Sequence, residues 1–114
     1  MLQIVLVINT DTQIQHIQHG MAYMEEFDIK NAINRFIAGL SQEQDVELYV
    51  FLSICHMFLS DARSKQYLKK AYSLNKKKTV EMLSQFFTSF IKDHPEIGTE
   101  TKRLMKNRLK ELEP

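Results

Sequence analysis

Four histidines, one cysteine and a few paired carboxylates are the side chains of this sequence that could do chemistry. His16 and His19 stand three apart, so a helix through them presents both imidazoles on one face, a spacing that suits two ligands of a transition metal. Cys55, His56 and His94 would have to complete such a site. Cys55 and His56 are adjacent, however, and successive helix residues point about 100° apart. Neither Cys-x-x-Cys nor His-Glu-x-x-His occurs. A thiolate nucleophile is equally poorly served, because Cys55 lies in the most apolar stretch of the chain, where a thiol is inert. Gly20, Gly39 and Gly98 are isolated, so no glycine-rich loop cradles a phosphate. Glu25 and Glu26 pair only within a polar turn. These residues point away from an enzyme, and neither a metal nor a cofactor is expected.

The elements that would position them read as helices. Thr10 and Gln13 fit a capping box, and Ile14, Ile17, Met21 and Met24 then recur at helical spacing. Residues 25–28 form a turn, and Asp28 can accept from the orphan N–H groups of the next helix. That second helix is predicted over about 29–40, with Ile29, Ile33, Phe36, Ile37 and Leu40 inward. Gly20 and Tyr23 on the first helix, with Ala32 and Phe36 on the second, alternate small and large residues, a packing code for two antiparallel helices. A polar loop, 41–45, leads to a third helix over about 46–59. It is apolar on nearly every side and belongs in the middle of a bundle. Asp61 caps a fourth helix, about 62–74. Residues 75–78 read as a basic turn, about 79–92 as a fifth helix, and 94–98 as a break at Pro95. Thr99 is expected to cap a basic, amphipathic sixth helix over 99–112. The fold class is therefore all-α, six helices in three helix–turn–helix pairs.

With 114 residues the chain has the size of one domain, 1–114, and its apolar and charged fractions are ordinary for a globular protein. One cysteine excludes an internal disulfide and suits a reducing, cytoplasmic setting. The apolar N-terminal segment (1–9) is too short to span a bilayer and lacks a basic flank and a cleavage site, so it reads as structural. Charge is uneven. Residues 1–57 carry two basic and seven acidic side chains, and residues 58–114 carry thirteen and seven. The basic residues form two runs: Lys65, Lys69, Lys70, Lys76, Lys77 and Lys78, then Lys102, Arg103, Lys106, Arg108 and Lys110. In a near-neutral chain whose basic last helix has no interleaved aromatics, these read as solvated faces before they read as a nucleic-acid surface.

Gly20, Tyr23, Asp28, Ala32 and Phe36 resemble the tetratricopeptide repeat, a helix–turn–helix unit of about 34 residues. Leu68, Ala71, Tyr72, Leu74 and Asn75 resemble the tail of a second unit, shortened by about two residues. His16 and His19 depart from the family's large apolar residues at those positions, and Gly39 replaces its late Ala. The resemblance is clearest over 13–45 and implies a right-handed solenoid capped by the helix at 99–112. It also implies a concave face lined by the first helix of each unit. Here that face comprises Ile14, Ile17, Met21, Met24 and Glu25 with Glu47, Val50, Ile54, Met57 and Phe58. It is apolar and Met-bearing, which suits an amphipathic helix of a partner protein or a second copy of the chain. In size and repeat class the chain is also similar to the small type III secretion chaperones that cradle a secreted subunit. Both readings compete with a plain one, in which the stripe is core covered by segment 2–8 or by the last helix.

Overall fold

Residues able to cap a helix stand ahead of most of the apolar stretches, and the helices of the computed structural model start at them. The structure describes residues 12–112. Helix α1 (Gln13–Glu25) starts two residues later than expected. The Thr-x-x-Gln pattern occurs twice, and it is Thr12 with Gln15 that closes the capping box. The Gln15 N–H donates to Thr12 Oγ1 at 3.1 Å, and the Thr12 N–H donates to Gln15 Oε1 at 2.7 Å. Thr10 and the apolar segment before it lie outside the described residues. Helix α2 (Ile29–Leu40) begins after Asp28 as predicted, with the Asn31 N–H donating to the Asp28 carboxylate.

Helix α3 (Val46–Phe58) is capped by Asp45, which accepts from the N–H groups of Glu47 and Leu48. Helix α4 (Arg63–Leu74) corrects the expected Asp61 cap: Ala62 holds the N-cap position without a side-chain bond, and the Asp61 carboxylate, one residue earlier, accepts from the Arg63 N–H at 2.9 Å. Helix α5 (Lys76–Asp93) corrects the expected basic turn: Lys76, Lys77 and Lys78 form its first turn, and Asn75 alone separates it from α4. The lysine triplet disguises this start, because cations at a helix N-terminus oppose the helix dipole by about 0.3–1 kcal/mol each. Asn75 offsets part of that cost by accepting from the Lys78 N–H at 3.0 Å. Helix α6 (Thr99–Leu112) includes Thr99 as its first residue, and the carbonyl of Gly98 accepts the first helical bond, from Lys102. Among the described residues there are six helices and no strand. No helix is long and apolar enough to cross a membrane.

Two turns share one geometry. After α1, the Phe27 N–H donates to Met24 O and the Asp28 N–H to Tyr23 O. After α3, the Ser60 N–H donates to Met57 O and the Asp61 N–H to His56 O. Both are Schellman endings, and both force a residue with a side chain into the left-handed region: Phe27 at φ 57° and Ser60 at φ 53°. Neither site has the glycine that usually relieves this strain.

The chain divides into two compact units, 1–43 and 44–114. In the first, α1 packs on α2. Gly20 makes the approach possible: a Cβ there would lie 2.7 Å from two atoms of the Phe36 ring and nearer still to a third. Phe36 and Ala32 have no exposed surface, and Met24 almost none. In the second unit α3 packs on α4, α5 and α6, and its residues from Leu48 to Met57 are all buried, as an all-round apolar helix requires. Small residues bring α3 and α4 together. Ser53 donates from its hydroxyl to the carbonyl of buried Ser64 at 2.7 Å. Phe86 stacks on Phe90 of the same helix at 4.5 Å, Phe58 meets Phe90 edge-on at 6.0 Å, and Ile97 anchors the connection to α6.

Candidate functional site

Helix α1 has one flank turned toward α2 and two turned away from it. Gly20 and Met24 mark the packed flank. Seven residues apart on a second flank stand Ile14 and Met21, 66% and 46% exposed, with half-buried Ile17 at its inner edge and exposed Glu25 a turn beyond. Large apolar side chains two turns apart on one exposed flank form the seam that a second helix fills. Within the same unit Ile37 of α2, expected to face inward, is also exposed, as is Phe27 in the strained turn. Periodicity identified Ile37 as apolar but carried no sign of whether anything covers it.

The other candidates on the expected face are placed differently. Met24 is buried on the flank of α1 that faces α2, and Val50, Ile54 and Met57 are buried because α4, α5 and α6 pack around α3, so none of the four offers surface to a partner. Phe58 is half-buried against Phe90. Glu47 forms an ion pair with Lys78 at 3.3 Å. The expected ten residues thus reduce to Ile14, Ile17, Met21 and Glu25 on α1, with Glu47 and part of Phe58 in the other unit.

The third flank of α1 is polar. His19, Ala22, Tyr23 and Glu26 line an open cavity of about 280 Å³ with Arg35 of α2. His16 lies beside it, with its Nδ1 3.5 Å from the Arg35 guanidinium. This volume falls below the usual range of small-molecule sites, about 300–1,000 Å³. Among the described residues no group of three His, Cys, Asp or Glu side chains is disposed to hold a metal ion.

The remaining chemical candidates are core groups. Burial pushes the Cys55 thiol up to about 12, so it is not a thiolate at neutral pH. His56 is 2% exposed and stacks on Tyr67 at 5.3 Å, and its Nδ1 has no hydrogen-bond partner. Asp61 Oδ2 lies 3.8 Å from that nitrogen, but the carboxylate is engaged by Arg63, whose Nη2 donates at 2.7 Å. That bond holds the Asp61 carboxyl down to about 2. Burial, and then the Arg63 charge, hold His56 below its ordinary value against the pull of Asp61. Sequence reading missed this grouping, because only the fold of the α3–α4 turn brings Asp61 back over His56. No family model, curated protein or solved structure matches the chain.

Proposed function

We propose that the protein is a tetratricopeptide-like helical module that binds another protein through the exposed apolar flank of α1, the occupant being an amphipathic helix or a second copy of the chain. The observation that carries this reading is the exposure of Ile14 and Met21 on one helix face. The repeat character is supported by the two Schellman turns, whose strained residues stand 33 positions apart, and by the close approach of Gly20 to Phe36. Such a unit recognises rather than reacts, in keeping with an inert Cys55 and a buried His56.

Light scattering across a concentration series tests self-association, and photo-cross-linking from residues 14 and 21 tests capture of a partner helix. A mass above the 13.4 kDa monomer, or a cross-link from residues 14 and 21 but not from His19 or Lys30, is expected. Either signal should vanish in Ile14→Asp/Met21→Asp while the helical circular dichroism is kept. A chain that stays monomeric and cross-links no better from 14 and 21 than from the polar controls would overturn the reading.

A further inference from the structure

Between Asp61 and Glu81 the chain has no acidic residue and seven basic ones. The basic stripe of α6 differs in holding two acidic residues, Glu100 and Glu111, among its five basic ones. On α6, Arg103 pairs with Glu100 and Arg108 with Glu111, Lys106 lies over Phe87, and Lys102 and Lys110 have no acidic partner among the described residues. On α4 and the first turn of α5, Arg63 pairs with Asp61 and Lys78 with Glu47. Lys65, Lys69 and Lys77 have no acidic partner among the described residues. Lys70 and Lys76 meet only aromatic rings, Tyr49 and Tyr72, each at 5.7 Å. Ser64, Leu68 and Ala71 mark the buried side of α4, and Lys65, Lys69 and Lys70 occupy its solvent side. The contact of Lys76 with Tyr72 joins the start of α5 to that surface.

We infer that this lysine-rich face of α4 and the start of α5 binds the phosphate backbone of nucleic acid, independently of base sequence. Magnitudes favour phosphate over carboxylate. An exposed lysine gains about 0–1 kcal/mol from a single protein carboxylate, so an acidic peptide would be held weakly. A nucleic acid adds the entropy of released counterions, one for nearly every phosphate neutralised. The side chains also argue against base reading. Lysine is a point charge without the planar fork of arginine, and of the half-buried tyrosines of α4, Tyr72 lies under Lys76 and Tyr67 stacks on His56. The surface belongs to the second unit and is independent of the apolar flank of α1.

Fluorescence anisotropy with the whole chain tests this, using labelled duplex DNA, labelled single-stranded RNA and polyglutamate across about 50–200 mM salt. Binding of either nucleic acid is expected, with a log–log salt slope of about −3 to −5 for duplex, corresponding to three to five neutralised phosphates. The variant Lys65→Glu/Lys69→Glu/Lys77→Glu should lose more than tenfold in affinity. The milder Lys→Gln set, a safeguard should charge reversal unfold the chain, should flatten the slope by about one per lysine. Lys102→Glu/Lys110→Glu on α6 should bind as the parent does. Three results would each overturn the inference: no binding of either nucleic acid at the lowest salt, an affinity unmoved by the triple changes, or polyglutamate bound as tightly as duplex. The last would assign the face to an acidic protein.

Discussion

Helices α1 and α3 are both thirteen residues long, and both end in the same strained Schellman turn, yet α3 hides ten consecutive residues and α1 only two. The difference lies in what surrounds them. Three helices of its own unit cover α3, while α1 packs on α2, and its second flank keeps Ile14 and Met21 in solvent. Similar local structure thus yields a core element in one unit and an available surface in the other. An apolar stripe becomes core only where the topology supplies enough neighbours.

The contrast is sharpest in truncation. Leu52→Ala or Ile54→Ala in α3 should cost about 2–5 kcal/mol, read as a lower urea midpoint, whereas Ile14→Ala should stay within about 0.5 kcal/mol. Equal losses at the two helices would erase the distinction between core and surface. Next in size is the contact that lets α1 have even its one packed flank. Gly20→Leu should abolish the α1–α2 packing. Gly20→Ala should cost about 1–3 kcal/mol through overlap with Phe36, outweighing a gain in helix propensity of about 1 kcal/mol. Phe36→Leu in the same chain should recover part of that loss. A double-mutant cycle showing no coupling would deny the close approach.

The two turns also differ in what they hold. The α3–α4 turn carries His56 and Asp61, and both make the second unit acid-sensitive. The folded value of His56 lies below its ordinary one, so its contribution is complete above about 6.5 and is lost as pH falls through the folded value. The Asp61 contribution is present above the usual carboxylate range and is lost as pH falls toward about 2. Melting temperature should therefore decline in two steps on acidification. His56→Phe, which keeps the stack on Tyr67, should remove the upper step and leave the lower one. An unchanged profile in that variant would show that His56 is not the group responsible. The smallest effect belongs to the strained residues themselves. Ser60→Gly should stabilise by up to about 1 kcal/mol by relieving the left-handed backbone. Phe27→Gly should gain less, since it also removes an aromatic side chain, and a loss at Ser60 would mean that the turn is not strained.

Much of this was legible in the residues. The bounds of α2 and the Asp28 cap follow from an acceptor placed just ahead of a periodic stretch, and the burial of α3 follows from its lack of a polar side. The rest failed for identifiable reasons. The Thr-x-x-Gln pattern fits at two registers, so Thr10 competed with Thr12. Lysines 76–78 contradict the dipole preference of a helix start, so the first turn of α5 read as loop. Among the site residues, Ile14 and Met21 were legible as apolar and Val50, Ile54 and Met57 equally so. Only the number of packed neighbours separates the first pair from the others, and no local pattern encodes it. The grouping of His56 with Asp61 and Arg63 depends on a left-handed Ser60 that no glycine announces.

Asn75 is the whole connection between α4 and α5, and its backbone groups and side-chain oxygen are all engaged. Its N–H donates to Ala71 O, its side chain accepts from Lys78, and its carbonyl accepts from both the N–H and the hydroxyl of Thr79. A protease needs an extended strand of several free residues, and this corner has one, its backbone N–H and carbonyl already tied. Three successive exposed lysines here are sites that trypsin recognises by chemistry but is denied by shape. Cutting at Lys76, Lys77 or Lys78 thus requires the end of one helix or the beginning of the next to open first, and the rate of that cut becomes a clock for local unfolding.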